Sequence, residues 1–203
     1  MTLLICLILT IPIIFLLNKS IKKYSINFYL GSLILGQLIL ILPSLIGVPL
    51  VNQRYIGLSL LIIVMFIGVL NRKKNYAKTL LSIRGELAIM GFILVSFHAV
   101  KHILNDQSYP LVWIAGLASY LLLIILTATS FKRIKKWVGK LYWKRIHKLS
   151  YLFYFSIFIH LYIASDSINQ IIYICIFMLY TILRIRYIFL KQSQKKKLLL
   201  VNN

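Results

Sequence analysis

The chain has 203 residues, 61% of them hydrophobic and 13% charged, with a mean hydropathy of +0.89. Soluble domains carry about 45–50% apolar and about 25% charged residues, so an ordinary globular domain is excluded. Lys and Arg number 24 against three acids, a formal charge of +21, and a polytopic membrane protein with its basic residues gathered in one set of loops accounts for both extremes.

A spanning helix takes about 20 largely apolar residues, and about 17 at the least. The apolar runs over 2–17, 26–42, 55–70, 87–103, 111–131, 146–163 and 168–189 therefore predict an all-α bundle of about seven transmembrane helices. The first and third runs are short, and the second runs into Pro43. No basic residue precedes the first run and no small-residue cleavage site follows it, so a retained span is expected there rather than a signal peptide.

Counting Lys and Arg in each connection tests the orientation. Three follow the first span, five the third, eight lie between the fifth and the start of the sixth (Lys148 included) and six at the end of the seventh (Arg184 and Arg186 included), which is 22 of 24. The opposite loops hold Arg54 and Lys101, together with Asp106 and Asp166. Basic residues mark the cytoplasmic side, so the N-terminus is expected outside and the C-terminus inside, in the cytoplasmic membrane. The basic runs then read as topology signals with some attraction to anionic lipid, and the expected surroundings are the lipid bilayer, with no nucleic-acid partner. Trp137, Tyr142 and Trp143 beside the Lys132–Lys148 loop read as interfacial anchors. The longest connection is about 16 residues, too short for a folded domain, and no glycine-rich phosphate loop or dinucleotide fingerprint is present. Cys6 and Cys175 lie in apolar runs and make neither a disulfide framework nor a zinc site. The chemistry is expected inside the bilayer.

Ionisable side chains within spans are costly and mark function by default. His98 and His102 lie on the fourth predicted span, His147 and His160 on the sixth. These two spans run in the same direction, so depths compare directly. His98 lies 12 residues beyond Glu86, or ~18 Å along a helix. His160 lies 14 residues beyond Ile146, or ~21 Å. Two imidazoles at one depth suit the two axial positions of a haem iron, with the porphyrin filling apolar space between helices. His102, one turn from His98 on the same face, is a rival ligand. His147 sits at the inner boundary, level with Arg84, whose guanidinium stays protonated and does not ligate iron but suits a propionate or a flavin phosphate.

The stretches RGELAIMGFILVSFH (84–98) and TSFKRIKKWVGKLYWKRIHKLSYLFYFSIFIH (129–160) resemble the ferric reductase-like transmembrane domain superfamily. Within it they are most like the MsrQ family, the haem-binding membrane subunits of bacterial methionine-sulfoxide reductase systems. The specific parts are an Arg-x-x-Leu helix start with a His 14 residues on, and a His-x12-His helix preceded by Gly-Lys and Trp. The resemblance covers about 55–191, giving N-terminal transmembrane segments over 1–54, a haem-binding domain over 55–191 and a basic cytoplasmic tail over 192–203. It implies a b-type haem held by His98 and His160, with His147 as the remaining family histidine, and it admits FMN as a second cofactor. Two-haem relatives carry a histidine where Arg84 stands here.

The expected function is a membrane cytochrome b passing electrons across the cytoplasmic membrane. Having no reductase domain in this sequence, it would draw on a separate cytoplasmic flavin reductase or a quinol, and deliver to an extracytoplasmic oxidoreductase or to ferric iron. The competing expectations are a proton- or ion-coupled transporter using its intramembrane histidines and Glu86, or a non-catalytic assembly subunit.

Overall fold

Runs of Leu, Ile, Val and Phe without charge leave the backbone no polar partner in an apolar surrounding except itself, and the result is helix. The computed structural model describes residues 2–41, 53–72, 74–105 and 109–201, and these are almost entirely helix, with no strand among them. In chain order the helices are α1 (Thr2–Lys23), α2 (Ser25–Ile41), α3 (Gln53–Ile67), α4 (Asn75–Ser82), α5 (Arg84–Asn105), α6 (Pro110–Ala128), α7 (Lys132–Val138), α8 (Lys140–Ile146), α9 (Leu149–Ile163) and α10 (Ser167–Val201).

Among the described residues, five segments are long and apolar enough to cross a membrane: Thr2–Lys23, Arg84–Ile103, Pro110–Ala128, Lys140–Ile163 and Ser167–Ser193. The second and third predicted spans correspond to shorter apolar helices, Ser25–Ile39 and Tyr55–Ile67. Pro43, the end of the second predicted span and Asp106 lie outside the described residues.

The third helix contributes to both hydrophobic clusters of the bundle. Leu58 through Met65 are all buried, so α3 is apolar on every face. Its closest neighbour is α5, and glycine permits that approach: a Cβ on Gly57 would lie 2.7 Å from Val95 Cγ2 and 3.0 Å from the Val95 amide nitrogen. Two hydrophobic clusters surround α3. One joins Leu3 of α1 to Leu58, Leu61, Leu123 and Phe153, and the other joins Ile14 and Ile21 of α1 to Leu60, Ile63 and Leu87. The first helix thus shares its core with the rest of the chain, across the 54/55 division read from the sequence. Large apolar side chains line the outside of α1, α2 and α10, with Leu16 at 81% and Phe189 at 67% exposure, the pattern expected where lipid is the solvent.

The basic connections are themselves helical. The 71–83 connection contains α4, whose Ala77 and Leu80 are buried. The Lys132–Lys148 loop folds into α7 and α8, separated by Gly139 at φ +78°, a region open to glycine and strained for other residues. Lys132 Nζ lies 3.7 Å from the Glu86 carboxylate in the first turn of α5, which ties this loop to the same end of the bundle. Glu86 also complements the N-terminal end of the α5 dipole there.

Candidate cofactor site

Helices α3, α5, α6 and α9 and the start of α10 line an open-sided cavity of about 570 Å³, within the ~300–1,000 Å³ of ordinary ligand sites. Its walls include Leu58, Leu61, Leu117, Leu123, Phe153 and Ile157, and its far rim carries Tyr109, Ser165, Asp166 and Asn169. His98, His102 and His160 all line it. The two histidines matched in depth by counting along the sequence therefore address one space.

Each imidazole is held differently. On α9, His160 Nδ1 lies 3.0 Å from the Val112 carbonyl of α6. A carbonyl oxygen only accepts, so Nδ1 carries the proton and the basic lone pair belongs to Nε2. Room for the ring comes from Gly116: a Cβ there would lie 2.9 Å from Cε1 and 3.0 Å from Nδ1 of His160. The adjoining α6–α9 contact is fixed by Ser119 and Ser156, whose hydroxyls are 3.0 Å apart and both reach the Ala115 carbonyl, at 2.7 and 3.4 Å. Across the cavity, the His98 ring is half-buried and contacts that of His102, with centroids 4.4 Å apart and planes at 60°. His102 itself is exposed and lies one turn nearer the rim.

His147 and Arg84 do not line this cavity. They stand together at the basic end, where His147 Nε2 is 3.2 Å from Thr129 Oγ1 and its ring lies 4.2 Å from that of Trp143. Trp143 Nε1 donates to the Thr129 carbonyl at 2.9 Å, and Lys135 sits 4.3 Å over the Trp143 ring. Arg84 Nε donates to the Val64 carbonyl at 3.2 Å, one of the carbonyls left unpaired where α3 ends. At this end, then, the two residues tie helices together.

The donor set suits a haem. Porphyrin supplies four ligands to its iron, so the protein needs two axial groups rather than a cluster, and neutral imidazole is a common choice. Among the described residues no group of three or more His, Cys, Asp or Glu is placed to hold a bare metal ion. The His160 Nδ1–H to carbonyl bond is the outer contact that fixes the tautomer of a ligating histidine and raises its basicity.

Sequence reasoning assigned α6 no part in the site, yet α6 supplies the Val112 carbonyl, the Gly116 gap and Ser119. A signal was present. Ala115, Gly116, Ala118 and Ser119 form a cluster of small residues in a helix rich in Leu and Ile, and small residues mark close helix contacts in membranes.

Together these features define an all-helical chain compatible with a multi-pass membrane protein. No family model matches it, and no solved structure matches it. A protein of Treponema pallidum (strain Nichols), described as uncharacterized, is 29% identical over 205 aligned positions covering 84% of this chain and 56% of that protein. The chain thus spans about half the length of that relative.

Proposed function

We propose that this chain is a multi-pass b-type cytochrome of the ferric reductase-like kind, most like the MsrQ family, that carries electrons across the cytoplasmic membrane. The observation carrying this reading is that His98 and His160, on two different helices, line one largely apolar cavity. The Val112 carbonyl orders His160 as a ligand requires.

Haem b, when bound, supplies a one-electron redox centre between the two imidazoles. The protein's part is to hold and insulate it. Val112 and Gly116 fix the ring of His160 so that Nε2 carries the lone pair. Leu61, Leu123, Phe153 and Ile157 line the space between the helices and would give a bound haem an apolar surrounding. On this reading α2 and α3 complete seven spans, with the N-terminus outside. The lysines and arginines of 132–148 then face the cytoplasm, where they attract an acidic flavin reductase or lie beside a membrane quinol as donor. The opposite rim, with Tyr109, Ser165 and Asn169, faces the extracytoplasmic acceptor, an oxidoreductase or ferric iron.

The test is haem quantification with a reduced-minus-oxidised spectrum on detergent-purified protein from cells supplied with haem. One low-spin b-type haem per chain is the expected result. A haem-free preparation would contradict the reading and favour a transporter in which His98, His102 and Asp166 serve the same cavity.

A further inference from the structure

The other end of the bundle holds a second concentration of charge. Arg84 of α5 and Arg184 of α10 both reach backbone carbonyls at the end of α3. Arg84 Nε donates to the Val64 carbonyl at 3.2 Å, and Arg184 Nη1 donates to the Gly68 carbonyl at 3.4 Å. Arg184 Nη2 also donates to the Tyr151 hydroxyl, and its guanidinium lies 5.3 Å over the Tyr151 ring and 5.2 Å over that of Tyr187. Tyr154 and Tyr180 both lie within electrostatic reach of Arg84, and Tyr180 also of Arg184.

The charge here is not balanced. Two fixed cations face a helix C-terminus worth about −0.5 of a charge. The chain has three acids in all. Glu86 is engaged by Lys132, Asp166 precedes α10 at the opposite end, and Asp106 follows the far end of α5 in the sequence. Among the described residues neither arginine has a carboxylate partner, and Arg184 Nε is a buried donor with no acceptor. A buried guanidinium N–H without an acceptor is costly unless an anion completes it.

Depth indicates which anion. Arg184 is 17 residues along α10 from Ser167, or ~26 Å, close to the ~30 Å thickness of the hydrocarbon layer. The pair therefore sits at the headgroup boundary of the leaflet that meets the basic loops, where lipid phosphates lie. Guanidinium forks match phosphate oxygens bidentately, and basic pockets between helices on this side bind anionic headgroups. We propose that Arg84 and Arg184 form a binding site for the phosphate of an anionic phospholipid, seated between α5, α9 and α10 at the basic end. The site does not depend on haem, and it stands or falls separately from the cytochrome reading.

The experiment uses delipidated full-length protein in detergent, titrated with phosphatidylglycerol, phosphatidylcholine or inorganic phosphate. Native mass spectrometry counts bound lipid, and thermal unfolding reads protection. Wild type is expected to retain phosphatidylglycerol in preference to phosphatidylcholine and to unfold at a higher temperature with it. Arg184→Gln should weaken that binding by about tenfold or more, the loss of one charge-assisted hydrogen bond, while Arg184→Lys should lose less. Arg186→Gln, exposed on the same helix, should behave as wild type. Because Arg84 also caps α3, Arg84→Gln is informative only if it folds, and the Arg184 variants decide the matter without it. Equal retention of the two lipids, unchanged binding in Arg184→Gln, or an equal loss in Arg186→Gln would overturn the proposal. Equal protection by inorganic phosphate would overturn the lipid assignment.

Discussion

The Val112 carbonyl of α6 accepts the Nδ1 proton of His160 of α9 at 3.0 Å. One backbone oxygen thereby sets both the orientation of an intramembrane imidazole and the nitrogen that keeps its lone pair. The relationship survives only while Gly116, one turn further along α6, has no side chain. In Gly116→Ala the new methyl would lie 2.9 Å from His160 Cε1, and the neighbour that must yield is the ring itself. The variant is expected to lose haem several-fold relative to wild type and to lose roughly 1–3 kcal/mol of stability from overpacking. Haem-to-protein ratio and thermal unfolding check this, and a full haem complement would contradict it.

The basic end should behave independently of the cavity. Trp143→Phe deletes the 2.9 Å bond to the Thr129 carbonyl while keeping an aromatic ring beside His147. A cost of about 0.5–1.5 kcal/mol is expected, with the haem spectrum unchanged. Chemical denaturation in detergent followed alongside the spectrum separates the two effects. A shifted or lost haem band in this variant would show that His147 serves the cofactor after all.

Much of this was legible in the sequence, and the reasons are physical. Long uncharged runs have one way to satisfy their backbone in lipid, so the helices fall near their predicted positions. Depth along a helix is simple arithmetic, and it brought His98 and His160 to one cavity. What the sequence did not disclose is which third helix lies between them. Val112 acts through its backbone, and no side chain signals that. The helical character of α7 and α8 was hidden too, because a run dense in Lys and Arg reads first as a topology marker. The third predicted span is a short apolar helix, Tyr55–Ile67, and its burial against α1, α5 and α6 is a property of packing that its length did not disclose.

Packing of α3 against α5 carries a prediction of its own. A methyl on Gly57 meets Val95 Cγ2 at 2.7 Å and, at 3.0 Å, the Val95 backbone nitrogen, which cannot rotate away. Gly57→Ala should force the two helices apart at a cost of about 1–3 kcal/mol, even though alanine favours helix over glycine by about 1 kcal/mol. A lower unfolding temperature is expected, and a raised one would show that the helices separate freely.

His98 and His160 are the residues proposed to hold a haem. The direct test is low-temperature electron paramagnetic resonance and optical difference spectra on wild type, His98→Ala, His160→Ala, His102→Ala and His147→Ala, purified identically. A low-spin b-type signal present in wild type, His102→Ala and His147→Ala but absent from the other two is the predicted result. A low-spin signal that survives in both His98→Ala and His160→Ala would contradict the account.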